Sequence, residues 1–202
     1  MEVQELRPGL WRWTAEHPQW DHAEHWGPEV GSVYAEIDDA VVVVDPLVPD
    51  DDEDRFWSAL YRDVERPGRP LYVLLTVHWH ERSVAAVLER YRAVLWRPDE
   101  KIELPQGVEP VVVRGADWSE AMFFLEPHGA LVVGDLLVGK DGGIELPVAW
   151  FPKGEQEWAR DELRPMLRER LRALPVELVL VSHGEPVLEG GAAALARALG
   201  DY

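Results

Sequence analysis

Apolar and polar positions fall into short runs that predict strands in two groups along the chain. In the first group, alternation over residues 10–15 and 30–37 is typical of strands with one buried face. The apolar run that ends at Asp45 and the run 71–77 predict two strands buried on both faces. The predicted strands of the second group are residues 110–113, 121–125 and 130–137 and the apolar run in "VELVLVSHG".

Helical patterns follow each group of strands. Carboxylates in "DDDED" favour a helix start, since they complement the helix dipole, and Phe56, Leu60 and Val64 then recur at four-residue spacing. The other predicted helices are residues 81–93, residues 154–174 with Pro165 kinking or dividing them, and the closing segment "GGAAALARALG". We therefore expect one domain, residues 1–202, in which helices pack outside two sheets.

Composition narrows the function classes. The chain has no apolar run near 18 residues, no basic segment followed by an apolar stretch at its start, and no cysteine. These features predict a cytoplasmic protein with no membrane partner, no disulfides and no thiolate metal site. The net charge of −18 argues against a nucleic-acid partner, because phosphate backbones are bound by lysine and arginine. The expected partner is a small molecule.

Polar residues stand where predicted buried strands end. Asp45, His78 and His183 each follow an apolar run, and Asp135 lies within "LVVGDLLVG". Each one alone has an ordinary structural explanation, such as a hydrogen-bonded scaffold histidine or, for Asp45, a cap on the turn before a proline. Together they suggest a ligand site, because ligands of α/β proteins collect at the carboxyl ends of strands. His78 and His80, two positions apart on an extended backbone, would project to the same side and could bind one metal ion.

The order of these motifs resembles the metallo-β-lactamase fold superfamily, which includes glyoxalase II-like hydrolases. The resemblance runs through "VVVVDPL", "LLTVHWHERS", "ALVVGDLLVG" and "LVLVSHGEP" and spans nearly the whole chain. It implies an α+β fold, an αββα sandwich of two mixed sheets with helices outside. It also implies a centre of one or two metal ions between the sheets that activates water for hydrolysis.

The central motif of the superfamily, HxHxDH, is only half present. Its two leading histidines correspond to His78 and His80, whereas Arg82 stands at the aspartate position and Ser83 at the last histidine position.

The later ligand positions are also incomplete. The resemblance places Asp135 at the bridging aspartate and His183 at the final histidine, but Ala116 at the histidine of the intervening turn. Asp45 corresponds to a structural aspartate more than to a ligand.

These substitutions reduce the expected number of metal ions. A second ion would keep only His183 and a share of Asp135, and the Arg82 guanidinium would repel it because arginine stays protonated. For the first ion, the predicted ligands are His78, His80 and Asp135, helped by His183, with water completing the pattern of a catalytic zinc. The first hypothesis is therefore a divergent hydrolase with at most one zinc or other divalent ion, acting on a small ester-like substrate, with Asp135, His183 and Arg82 as catalytic candidates.

A second hypothesis removes the metal altogether. In a metal-free relative that binds a small molecule in the same cleft, Arg82 would pair with Asp135 and replace the charge of the metal. Which of the two hypotheses holds is left open by the sequence.

The segment before residue 27 offers further candidates. His17, His22 or His25 could replace a missing ligand, or the segment could be a tryptophan-rich wall whose histidines make ordinary hydrogen bonds. In the second case an apolar or aromatic ligand would be favoured by three tryptophans: Trp20, Trp26 and Trp79.

Overall fold

The computed structural model describes residues 2–65 and 68–200, and its first half forms a mixed sheet. The strand order follows the chain, with antiparallel pairing among the first four strands and parallel pairing among the last three. The strands are β1 (Glu2–Arg7), β2 (Leu10–Glu16), β3 (Glu29–Ile37), β4 (Ala40–Val44), β5 (Leu71–Leu74) and β6 (Val94–Trp96).

The second half forms another mixed sheet, in the spatial order β12-β9-β8-β7. The pair β12 and β9 is parallel and the other two pairs are antiparallel. Its strands are β7 (Val108–Arg114), β8 (Ser119–Leu125), β9 (Ala130–Val133) and β12 (Leu178–Val181). A two-stranded ribbon is formed by β10 (Val138–Lys140) and β11 (Gly143–Glu145).

Helices cover the outer face of each sheet. Those of the first half are α1 (Glu53–Leu60) and α2 (Val84–Arg90); those of the second are α3 (Gln156–Trp158), α4 (Arg164–Leu171) and α5 (Gly191–Ala198). A wide π-helical turn, Ala159–Leu163, joins α3 to α4, and Pro165 is the second residue of α4. The predicted division of this helix is therefore present, because proline has no N–H for the regular α-helical hydrogen bond.

The sheets pack face to face, and β4 shows why its sequence is continuously apolar. Val42 and Val44 lie in the core between the two sheets, whereas Val41 and Val43 pack towards α1 and α2. Successive side chains of a strand point to opposite faces, so a strand buried on both faces has no polar position. A corresponding outer core lies between the second sheet and its helices. The predicted α+β sandwich of two mixed sheets with helices outside is confirmed.

Two strands are shorter than predicted, and one of these differences creates the joint between the sheets. The run 71–77 leaves the first sheet after Leu74, and the run 130–137 leaves the second after Val133. The Thr76 carbonyl accepts a hydrogen bond of 2.7 Å from the Ala121 N–H, and Val77 pairs with Glu120 of β8. The chain thus crosses to the second sheet just before the two histidines. None of the described helices is long and apolar enough to cross a membrane.

Candidate metal centre

The polar candidates converge because two pairs of parallel strands end at one edge of the sandwich. Asp45 directly follows β4, Asp135 lies two residues after the end of β9, and Ser182 and His183 follow β12. A backbone hydrogen bond of 2.7 Å from the Gly31 N–H to the Ser182 carbonyl fastens the first sheet to the second beside these ends. Side chains that are far apart in the sequence therefore share one site, as is usual at the carboxyl ends of parallel strands.

Three of the predicted ligands form a compact group: His80, Asp135 and His183. One donor atom of each lies within 4.8 Å of the others. Asp135 Oδ1 is 3.3 Å from His80 Nε2 and 3.2 Å from His183 Nε2. Two ligands at about 2.0–2.1 Å from a tetrahedral zinc are themselves roughly 3.3 Å apart, so these separations match the edge of such a site.

Asp135 Oδ1 lacks the hydrogen bond that a buried carboxylate oxygen normally has. It is buried and accepts no well-directed hydrogen bond, although two imidazole nitrogens lie beside it. The other oxygen, Oδ2, accepts a hydrogen bond of 2.8 Å from the Trp79 indole N–H. A buried acceptor left open between two nitrogens is a fitting arrangement for a shared cation.

Asp45 fixes the orientation of the His80 ring. Its Oδ2 lies 2.8 Å from His80 Nδ1 and also accepts a hydrogen bond from the Thr76 hydroxyl, and its Oδ1 accepts the Thr76 N–H at 2.9 Å. With the Nδ1 proton donated to Asp45, Nε2 faces Asp135 and would offer its lone pair to a metal ion that displaces the Nε2 proton. Metal-binding histidines are commonly oriented by such a carboxylate. The sequence-based interpretation of Asp45 as structural agrees with this geometry.

Burial and charge set the protonation of the group. Burial lowers the pKa of His80, but the charges of Asp135 and Asp45 outweigh it and raise the pKa to about 9. Burial raises the pKa of Asp135, yet His80 and His183 hold it well below the usual range. The pKa of His183 is lowered, mainly by burial. Without a metal, the group at neutral pH therefore contains an aspartate anion, a protonated His80 and a neutral His183, and a metal ion would replace the Nε2 proton of His80.

Comparison with solved structures places this geometry in a known fold. VMB-1 aligns with a TM-score of 0.63 at 12% identity over 98% of this chain and 94% of its own. A metallo-β-lactamase from Erythrobacter litoralis gives 0.58 at 16%, over 98% and 89%. The metallo-β-lactamase FIM-1 from Pseudomonas aeruginosa, in its mono-zinc form, gives 0.59 at 16%, over 98% and 96%. The chain has the metallo-β-lactamase fold. No protein-family model and no curated protein sequence matches it, so the likeness lies in structure.

Within this metallo-β-lactamase fold, Arg82 is a half-buried cation that supports the backbone around the site. One guanidinium nitrogen donates to the Gly31 and Asp45 carbonyls at 2.9 and 3.0 Å, and the other to Ser182 Oγ at 3.0 Å. No ion pair joins Arg82 to Asp135 in the described parts of the chain, so the expected direct pairing is wrong. The guanidinium is engaged by two carbonyls of the first sheet and by the Ser182 hydroxyl, which follows β12 of the second sheet, and it acts on Asp135 only through space.

His78 lies outside the group of three. Residues 78–80 form a 3-10 turn instead of an extended strand end, so the expectation that both imidazoles project to the same side is wrong. His80 is buried, whereas His78 is exposed and packs edge-to-face against Trp79 with ring centroids 4.6 Å apart. The turn thus supplies one ligand from the pair, and His183 brings the second imidazole.

The tryptophan-rich segment and Trp150 form part of the wall around the site. Trp26 packs against the His183 ring at 4.8 Å, and Trp150 reaches the same ring at 5.4 Å. His17 is half-buried and lines the cavity of about 230 Å³ at the group of three, and burial lowers its pKa. His22 and His25 are exposed, although His25 reaches the cavity rim. The remaining predicted wall residue, Trp20, donates its indole N–H to the Trp26 carbonyl at 2.8 Å.

Sequence reasoning missed Glu120, a buried carboxyl next to the group. Its side chain is 2% exposed, and Oε1 accepts the N–H groups of Asp135 and Leu136 at 2.7 and 2.9 Å. Burial and the charge of Asp135 raise the pKa of Glu120 to about 8. The available signal was a single acidic residue inside the otherwise apolar stretch "EAMFFL" of β8.

Proposed function

We propose that this chain is a divergent hydrolase that binds one divalent metal ion at His80, Asp135 and His183. The observation that carries the proposal is the buried, unsatisfied Asp135 Oδ1 between two imidazole nitrogens at 3.3 and 3.2 Å. Zinc is the first candidate, since two histidines and one carboxylate are donors that it accepts with an open fourth position. The substrate class is a small ester or a related compound.

A cation held there would act as a Lewis acid and lower the pKa of water, so that hydrolysis proceeds at neutral pH. The residues of the chain prepare the site for this role. Asp45 keeps the Nε2 lone pair of His80 turned inwards. Trp26 and Trp150 flank His183 and restrict the entry of bulk water. The buried Arg82 guanidinium disfavours a second ion, because it places a permanent charge near the group.

Metal content of the purified protein tests the proposal. Protein prepared without chelators and without a histidine tag is expected to carry about one equivalent of zinc, iron or manganese by elemental analysis. His80→Ala and His183→Ala should each lose the metal. His78→Ala is the matched control and should keep it, since His78 is exposed and outside the group. Metal loss in His78→Ala, or content near zero in the parent protein, would contradict the proposed site.

A metal-free small-molecule-binding protein is the second candidate, and one observation favours it. The neighbouring charges of Asp135 and Asp45 raise the pKa of His80 to about 9, so a protonated imidazole can neutralise Asp135 without a metal. This candidate predicts a negligible metal content together with an imidazole NMR titration near pH 9. Stoichiometric metal in the parent protein would exclude it.

A further inference from the structure

The pocket next to the metal centre is aromatic and acidic. Its volume is about 410 Å³, and it shares Trp79, Asp135 and Trp150 with the cavity at the group of three. A molecule that reacts at the group would therefore extend into this pocket. Reaction of a molecule held in this pocket rests on the proposed function, whereas its binding does not.

Indole and phenyl rings form most of the pocket wall. Trp118 is fixed by a hydrogen bond of 2.9 Å from its N–H to Glu155 Oε2, and its ring lies 5.9 Å from Phe151. Trp79 is fixed by its hydrogen bond to Asp135. The rings are thus held in place by their neighbours before a ligand arrives, which reduces the entropy lost on binding.

The polar lining is acidic. Three carboxyl groups line the pocket, from Asp117, Glu120 and Asp135, and no lysine or arginine is among its described lining residues. The nearby cation Arg82 lines the adjoining cavity and donates to backbone carbonyls and Ser182. Carboxylates would repel an anionic ligand here, and no lysine or arginine among the described lining residues would pair with it. A cation, in contrast, would be attracted by the carboxylates and by the faces of the aromatic rings.

We infer that this pocket recognises an ammonium or quaternary ammonium group on the substrate. A cluster of aromatic rings attracts such a cation through the negative faces of the rings, and an adjacent carboxylate supplies the opposite charge. Asp117 stands exposed at the pocket and Asp135 lies where the pocket joins the cavity at the group of three, so carboxylates are present at both places.

Three ligands of nearly identical shape test the inference: choline, 3,3-dimethylbutan-1-ol and 3,3-dimethylbutanoate. Binding is measured by tryptophan fluorescence and calorimetry on the full chain, once with chelator and once with added zinc. With chelator present, choline should bind at least about tenfold more tightly than the uncharged alcohol, and the anion should bind least. Equal affinities, a preference for the anion, or no binding of any of the three would overturn the inference.

Variants assign the preference to this pocket. Asp117→Asn, which removes an exposed carboxylate of the pocket, should reduce the choline preference several-fold. Asp141→Asn is the matched control: it removes the same charge from the exposed turn between β10 and β11 and should leave the preference unchanged. Thermal melts verify that each variant is folded. A preference that is unchanged in Asp117→Asn, or is lost in Asp141→Asn, would overturn the inference.

Failure of the two proposals can be told apart. The binding assay with chelator needs no metal, so a choline preference supports the pocket whatever the metal content. If the parent protein is also purified with almost no metal, the pocket stands and the proposed metal site is contradicted. Stoichiometric metal together with equal affinity for choline and its uncharged analogue would support the metal site and overturn the inference about the pocket.

Discussion

Replacing Asp45 by asparagine should weaken both the fold and metal binding, because Asp45 is the support of His80. The backbone of Asp45 has a φ of 47°, a left-handed conformation that asparagine tolerates better than other non-glycine residues. The variant therefore changes the hydrogen bonding with little added backbone strain. Alanine at this position would add backbone strain to the loss of hydrogen bonds, and the two contributions could not be separated.

The magnitude follows from the three hydrogen bonds that the carboxylate accepts from Thr76 and His80. Asparagine can still accept the Thr76 N–H, but its amide nitrogen would face the His80 Nδ1 proton as a second donor. The charge-assisted bond to His80 is lost, at a cost of about 2–3 kcal/mol in the free energy of unfolding. A switch of His80 to the other tautomer would direct its proton towards Asp135, and metal affinity should fall by roughly 10–100-fold.

Urea denaturation of the metal-free protein and competition with a zinc chelator measure the two effects separately. Asp39→Asn is the matched control, because Asp39 is an exposed aspartate in the turn between β3 and β4. We expect no measurable change there. If Asp45→Asn unfolds within about 0.5 kcal/mol of the parent and keeps its zinc affinity, the assignment of Asp45 as the support of His80 is refuted.

Two further predictions concern pH and backbone packing. The folded-state pKa of Glu120, about 8, lies above its ordinary value of 4.5, so stability should fall as pH rises through that window. Glu120→Gln should remove this loss, so its advantage in unfolding free energy over the parent should grow to a few kcal/mol between pH 5 and 8 in urea melts. Glu109→Gln, at an exposed position of β7, should show no such advantage. Parallel curves of unfolding free energy against pH for all three proteins would refute the raised pKa of Glu120. Gly139→Ala should destabilise the protein by more than about 2 kcal/mol, because its Cβ would lie 2.1 Å from the Glu185 carbonyl oxygen. Gly143→Ala, in the same ribbon, has no contact closer than 3.7 Å and should be nearly neutral; similar melting temperatures for both would contradict this packing.

The layers of the fold could be predicted from the sequence because buried faces produce a regular pattern of apolar residues. A strand buried on both faces, such as β4, must be apolar throughout, and the helices show their spacing of three to four residues. Strand pairing at the sheet edges produces a weaker sequence pattern, since β1 is largely exposed and β6 has only three residues. Both strands form because neighbours offer an open edge, which the local sequence does not encode.

The candidate site could be predicted only in part, because sequence spacing does not determine side-chain direction. Asp135 and His183 lie together, since each follows a strand of a parallel pair. His78 was misjudged because the chain turns before it, and the turn depends on Thr76 bonding to the other sheet. Arg82 pairs with Asp135 in the metal-free hypothesis, but its guanidinium donates to the Gly31 and Asp45 carbonyls of the first sheet and to the Ser182 hydroxyl beside the second. These are long-range contacts that local patterns do not record.

The joint between the sheets has a consequence for how the protein folds. Asp45 and His80 come from the part of the chain before residue 97, and Asp135 and His183 from the part after residue 107. Neither part contains a complete ligand set, so the site forms only when the two sheets have docked. Occupancy of the centre would therefore report the completion of folding, and a metal ion that binds there would stabilise the docked state selectively.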